Sequence, residues 1–457
     1  MSKSILVCIN IVCLILIAYF SILSWRNLTA SSTMLNNDYA LFYKTLRDPS
    51  VMYRTLHHLT VINKTLTDQS IFNFNTPTMN LFLKPMINFS DDLSTNVLLW
   101  VLLSLFGASV SVILLTNWLN DYHIKYLVFL PALVALETSR PALFNANSGQ
   151  LAFFLLPILC AAFFLESIKK RNAAAVLFGL LASLKLFFLI FLLFYVTRQQ
   201  WRLLLIFLVS FIGFFFLPIV FFTKANYWTF FHANENSLQT IYRSLSPLNG
   251  ALLGFVAKMF GFFKTHPTVI EILIPTYFLS IYIIVRWMIY DYRKLKYLPE
   301  FSTELAICFL IVFALMCSPS AWLYYHVFLL IPVLVLIKMS RHYLISNRCI
   351  FYFAIALFSP YFLSLPVTGF FSNAVYHVCV FFSLVFWMLC LLSASSSIQH
   401  VETAKKYQSH ILLFVIVLYT GCSFLFLDYH NAVSRFIEIN KPAYLKNITP
   451  GVWIQKE

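Results

Sequence analysis

Charge is what this chain is short of: 11% of its 457 residues are Asp, Glu, Lys or Arg, against about 25% in an ordinary soluble domain. With 60% apolar and 18% aromatic residues and a mean hydropathy of +0.81, there is no room for an independent soluble domain. Of the two charge signs the acidic is the scarcer, 17 Asp and Glu against 32 Lys and Arg. The basic excess lies in short connectors between apolar runs, where it marks a cytoplasmic side, so the +15 charge is a topology signal and not a nucleic-acid footprint. Metal-type cysteine spacing is missing. The nine cysteines (Cys8, Cys13, Cys160, Cys308, Cys317, Cys349, Cys379, Cys390, Cys422) all fall inside apolar runs and read as packing residues. No small-x-small cleavage site follows the first run, Ile5 to Ser24, which is longer than the roughly 7 to 15 residues of a signal-peptide core. It reads as a retained first helix. Gly and Pro are sparse within the runs and no internal repeat is visible, which disfavours the repeated halves common in secondary transporters.

What is present is a succession of apolar runs beginning near residues 5, 95, 124, 150, 173, 202, 268, 302, 322, 349, 373 and 410. At roughly 20 residues per crossing they predict an all-α polytopic membrane protein with about 12 to 13 membrane helices in one integral membrane domain, 1–457. The basic connectors at 166–172, 197–202, 286–296 and 338–348 belong on the cytoplasmic side. Parity then requires Ala173 to Val196 to enter and leave on the same side, as two short helices turning near Ser183, Leu184 and Lys185. Such a turn stops short of the far surface and must be lined by protein, because lipid-exposed irregular backbone is not tolerated. Residues 25–94 and 223–267 become long outer loops, and 428–457 an outer tail. The Asn-x-Ser/Thr sequons at Asn27, Asn63, Asn88 and Asn447 fall on this outer side.

Several residues there can carry chemistry. Tyr39, Phe42, Tyr43 and Leu46 recur at helical spacing, predicting an amphipathic helix on the membrane surface. Asp38 at its start is either the N-cap or a carboxylate placed to take a proton from a sugar hydroxyl. Lys185 interrupts an apolar segment; it either snorkels or meets an anionic lipid phosphate. The stretch from Asn145 through Asn147 to Gly149 and Gln150 opens a long helix, so it either caps that helix or binds an anion or sugar. Glu137 and Arg140, one helical turn apart, can pair with each other. Asn236 and Arg243 supply polar groups in the second outer loop. Between Ser318 and His326 an outer hairpin carries Trp322, Tyr324 and Tyr325, residue types routine at bilayer interfaces. His326 is either structural or able to relay a proton or orient a carboxylate.

The layout resembles the polyprenol-phosphate-sugar-dependent transferases of glycosyltransferase family 87, in the C-type glycosyltransferase superfamily. The resemblance runs through Asp38-Tyr39, then Asn75-Thr76-Pro77 and Pro85, then Gly149-Gln150. It continues through Gly179 to Lys185, which looks like the family's Gly-Leu-Ala-x-x-x-Lys, then Asn236-Ser237, Arg243, and Ser318-Pro319 to Trp322. Two features depart from the pattern: Leu186 replaces the Pro that commonly follows the lysine, and Tyr324-Tyr325 before His326 replaces a His pair.

The resemblance implies a C-type glycosyltransferase fold. It also implies transfer of a hexose, mannose being the best known, from a polyprenyl-phosphate donor to a glycan or glycolipid acceptor on the non-cytoplasmic face, with inversion. Asp38, with His326 as a further candidate, would serve catalysis; Lys185 and Arg243 would hold the donor phosphate. Tyr39, Asn147, Gln150, Asn236, Trp322 and Tyr325 would contact sugar or acceptor. No metal or cofactor is required. The setting is a bacterial inner membrane with the site facing outward, or an endoplasmic reticulum with the site in the lumen. A transporter or lipid-linked-sugar flippase is the rival, since an outer Asp and a mid-membrane Lys also suit a substrate pathway.

Overall fold

The structure, a computed structural model, describes residues 3–33, 39, 56–62, 65–71, 75–119, 122–137, 139, 141–142, 145–146, 149–222, 250–252, 255, 282, 286, 301–318, 322–342, 346–359, 370–396 and 415. The tail 428–457 and nearly all of the outer loop 223–267 lie outside them. Two compact units are present. The first comprises Met1–Ser237, Glu300–Ile311 and Tyr324–Lys338, and the second Leu238–Pro299, Val312–Leu323 and Met339–Glu457.

In the first unit α1 (Lys3–Thr33) is followed by β1 (Leu56–Ile62) and β2 (Thr65–Ile71), an antiparallel pair with Leu56 opposite Ile71 and Ile62 opposite Thr65. Then come α2 (Pro77–Ile87), α3 (Leu93–Trp118), α4 (Tyr122–Glu137), α5 (Ala152–Ser167) and α6 (Arg171–Leu184). A 3₁₀ segment, Leu186–Phe191, leads into α7 (Leu192–Thr197), and α8 (Trp201–Phe216) follows. The α9 helix (Ser302–Cys317) begins in the first unit and ends in the second. Beyond it lie a 3₁₀ turn at Leu323–Leu329, α10 (Leu330–His342), α11 (Asn347–Phe358) and α12 (Phe370–Ser396).

Among the described residues four helical stretches are long and apolar enough to cross a membrane: Ile9–Ala30, Leu93–Trp118, Trp201–Val220 and Leu323–Ser340. The chain is an integral membrane protein of the expected all-α class, and the β1–β2 pair is a small addition between α1 and α2. Trp201, Leu205, Val209, Ile212 and Phe216 form an exposed stripe along α8, the face such a helix turns to lipid.

Local chemistry explains the joints. Asp92 caps α3, accepting from the Thr95 hydroxyl at 2.7 Å and from its N–H at 2.8 Å; these bonds hold its carboxyl below the usual range. Buried Asn96 accepts from Ser90 N–H at 2.9 Å and donates to Ile87 O at 3.2 Å, closing the corner between α2 and α3. Pro157 inside α5 has no N–H to offer Phe153 O, and that carbonyl points straight at the bare face of Gly107 on α3. A Cβ at residue 107 would clash with it. Gly107→Ala should therefore push α3 and α5 apart and lower stability by about 1 to 3 kcal/mol, the usual cost of overpacking. Thermal unfolding in detergent tests this, and an unchanged midpoint would refute the close approach.

In the second unit α11 and α12 are joined by Ser383 Oγ donating to Ala356 O at 2.7 Å and by Ser346 and Ser393 hydroxyls 2.8 Å apart.

Candidate functional site

Residues 171–197 form a hairpin, and its apex is Lys185. The backbone there is extended (φ −145°, ψ 115°), ending α6 and opening the 3₁₀ segment. Phe178 and Phe191 stack with ring centroids 4.5 Å apart. Thirteen residues of continuous helix would separate them by about 20 Å, so the chain has doubled back. The two basic connectors also meet at one end: Glu166 couples electrostatically to both Arg171 and Arg198, and its carboxylate lies 3.4 Å from Arg171 Nε. Arg198 ties the same end to α9 through Thr303 Oγ1 at 3.0 Å and Ser302 O at 3.2 Å.

Matching turns flank the hairpin. Lys169 (φ 64°) and Gln199 (φ 56°) are left-handed. The N–H of Lys170 reaches Leu165 O at 2.8 Å and that of Gln200 reaches Tyr195 O at 2.9 Å, in the pattern of a Schellman C-cap. The 14 residues of α6 span about 21 Å. Six residues of 3₁₀ and six of α-helix return about the same distance. A hairpin of this length standing upright from one surface of a hydrocarbon core about 30 Å thick would end inside it, where an ionisable group is costly unless it has work to do.

The Lys185 side chain is half-buried and its Nζ lies 5.9 Å from the centre of the Tyr325 ring. It has no carboxylate partner among the described residues. Phe187 packs edge-on to Tyr325 at 5.2 Å, and Phe188 lies 5.4 Å from Phe328. Tyr324, Tyr325 and His326 are thus buried (6%, 3% and 5% exposed) on a 3₁₀ turn, where an interfacial hairpin was expected. The aromatic 3₁₀ segment after Lys185 gives them protein to pack against. His326 Nε2 is buried and has no hydrogen-bond partner among the described residues.

A second cluster forms around Tyr39. Its backbone lies against Gly149, whose φ is +65°: a Cβ on Gly149 would stand 3.0 Å from Tyr39 N and 3.1 Å from its Cα. Tyr39 is fully buried, its ring edge-on to Trp100 at 5.0 Å. Apart from Tyr39, the surface helix expected here lies outside the described residues; Tyr39 itself packs inward, where Gly149 has no side chain. Asn145 Oδ1 caps the start of α5 by accepting from Ala152 N–H at 3.1 Å, and Gln150 N–H bonds to Asn145 O at 3.0 Å. The capping alternative for this stretch is therefore realised, and Gln150 is buried beside it.

The structure brings Lys185 to Tyr325, and Tyr39 to the Gly149–Gln150 turn. Trp322 is partly exposed and belongs to the second unit. Asp38, Asn147, Asn236 and Arg243 lie outside the described residues, as does Arg140, the expected partner of Glu137. Thr76, which the sequence marks only as part of the Asn75-Thr76-Pro77 resemblance and without a role, has a hydroxyl that reaches the Leu184 carbonyl. Its signal was a Thr before Pro at the start of a helix, a capping pattern.

A family model described as glycosyltransferase family 87 matches residues 73–319, more than half of the chain. That span includes α2, the Gly149–Gln150 turn and the whole hairpin. No curated protein and no solved structure matches.

Proposed function

The chain belongs to glycosyltransferase family 87, and we propose that it moves a hexose, mannose in the first instance, from a polyprenyl-phosphate donor to a glycan or glycolipid acceptor with inversion at the anomeric carbon. The observation that carries this reading is Lys185: an ammonium at a helix break within an apolar hairpin, half-buried, with no carboxylate partner among the described residues. An ammonium placed there suits a lipid phosphate, which brings its charge to that depth on a polyprenyl tail.

The chemistry needs little else. The bond between the anomeric carbon and the phosphate oxygen breaks with its electron pair going to the phosphate. Lys185 stabilises the charge that develops there. A phosphate held in this way leaves without a general acid. Asp38 takes the proton of the acceptor hydroxyl as its oxygen attacks from the opposite face. Tyr39, Asn147, Gln150, Asn236, Trp322 and Tyr325 are the sequence-based candidates to contact sugar or acceptor. The basic connectors at 166–172 and 197–202 put the hairpin's open end at the cytoplasm, so the apex serves the non-cytoplasmic side. A bacterial plasma membrane fits best.

Membranes containing the protein should transfer radiolabel from polyprenyl-phosphate mannose to endogenous acceptor, while membranes without it should not. Transfer from a different polyprenyl-phosphate hexose would keep the mechanism and change the sugar. Failure with every polyprenyl-phosphate donor, alongside transfer from a nucleotide sugar, would overturn the proposal.

A further inference from the structure

The break at Lys185 leaves a carbonyl without its helical partner. In a continuous helix Leu184 O would accept from Phe188 N–H; here that N–H bonds to Lys185 O at 3.1 Å. Backbone polar groups at membrane depth must be satisfied within the protein. The replacement comes from 108 residues away in sequence: Thr76 Oγ1 donates to Leu184 O at 3.0 Å in a buried contact. The same oxygen accepts from Met79 N–H at 3.2 Å, capping α2. Thr76 is 3% exposed, so water cannot readily stand in for it.

We propose that Thr76 is a positioning residue for Lys185, resting on the reading of Lys185 as the phosphate-holding group. Its hydroxyl substitutes for the N–H that Leu184 loses and so fixes the break that presents the ammonium. Without it the segment has an easy alternative. Phe188 N–H returns to Leu184 O, the backbone at residue 185 moves from extended to helical values, and the Lys185 side chain swings to another face. The hydroxyl decides between two hydrogen-bonding arrangements of one segment, and only one of them holds the phosphate.

Thr78 supplies the internal control. Its hydroxyl makes a comparable bond from α2, donating to Phe214 O at 2.9 Å on α8. If Thr76 merely anchors α2, removing either hydroxyl should act alike.

The experiment is a double-mutant cycle read by binding of labelled polyprenyl monophosphate, a probe independent of the sugar, to the purified full-length protein. Thr76→Val should weaken binding by about 5- to 10-fold, the scale of one lost hydrogen bond. Thr76→Ser should stay within about twofold of wild type, because it keeps the donor. In a Lys185→Met background Thr76→Val should cause no further loss, since its effect passes through Lys185. Thr78→Val should leave binding unchanged. Thr76→Ala, which adds no bulk beside the carbonyl, serves in place of Val should that variant not accumulate. An equal loss from Thr76→Val in both backgrounds, or wild-type binding by Thr76→Val and Thr76→Ala while Lys185→Met is impaired, overturns the positioning role and leaves the Lys185 reading intact. Wild-type binding by Lys185→Met removes the premise itself.

Discussion

Asp38→Asn should give a protein that inserts, survives detergent extraction and binds polyprenyl monophosphate like the wild type, yet transfers sugar about 100- to 10,000-fold more slowly. The magnitude is the usual contribution of a general base. The substitution separates the two roles open to this residue. Asn is as good an N-cap as Asp, so a residue that only starts a helix tolerates the exchange. A base does not, because a neutral amide cannot accept the acceptor's proton. The neighbouring Tyr39 is locked between Gly149 and Trp100, which ties the chain next to Asp38 to the start of α5. Initial rates at saturating donor, with binding measured in parallel, make the comparison. Normal transfer by Asp38→Asn would remove the assigned base and move attention to His326 or to another carboxylate of the segments 25–94 and 223–267, such as Asp48 or Glu235.

The hairpin was legible because it follows from parity. Basic connectors on both flanks of one apolar segment cannot share a side unless the segment turns, and Lys185 was the polar residue at its middle. What the turn looks like was not legible. The 3₁₀ segment Leu186–Phe191 is apolar throughout, and local propensity does not distinguish it from helix. Its conformation comes from tertiary contacts with Tyr325 and Phe328. Thr76 was visible only within the Asn75-Thr76-Pro77 resemblance, because its partner, Leu184, is a backbone carbonyl, which leaves no mark in sequence. Tyr39 shows a related limit. Its periodicity with Phe42, Tyr43 and Leu46 describes an apolar face and does not say whether lipid or protein covers it; for Tyr39 alone, the close approach of Gly149 answers this. The β1–β2 pair was missed although Thr60, Val61, Ile62, Thr65 and Thr67 are β-branched. Two seven-residue strands in a polar loop are marginal on their own, and the apolar runs on either side dominate any reading of that region.

Lys185→Met tests the phosphate site and should act on two measurements in opposite directions. Loss of one charged hydrogen bond is worth about 1.5 to 3 kcal/mol, so donor kcat/KM should fall about 10- to 150-fold while the acceptor KM changes little. An ammonium that holds the leaving phosphate, as proposed for Lys185, would hold it more strongly as charge develops, so part of the loss belongs in kcat. Stability should move the other way. Lys185 has no carboxylate partner among the described residues, and an ionisable side chain held at this depth costs folding energy. Met has a comparable length and no charge, so the variant should melt at a higher temperature in detergent than the wild type, as expected where function is bought with stability. Lys185→Arg keeps the charge but spreads it over a larger planar group, and should recover only part of the activity. A snorkelling lysine predicts a different set: unchanged donor dependence with Met, and activity unaffected by Arg. Unchanged donor kinetics in Lys185→Met would assign Lys185 to the membrane interface and leave the leaving phosphate without its proposed cation.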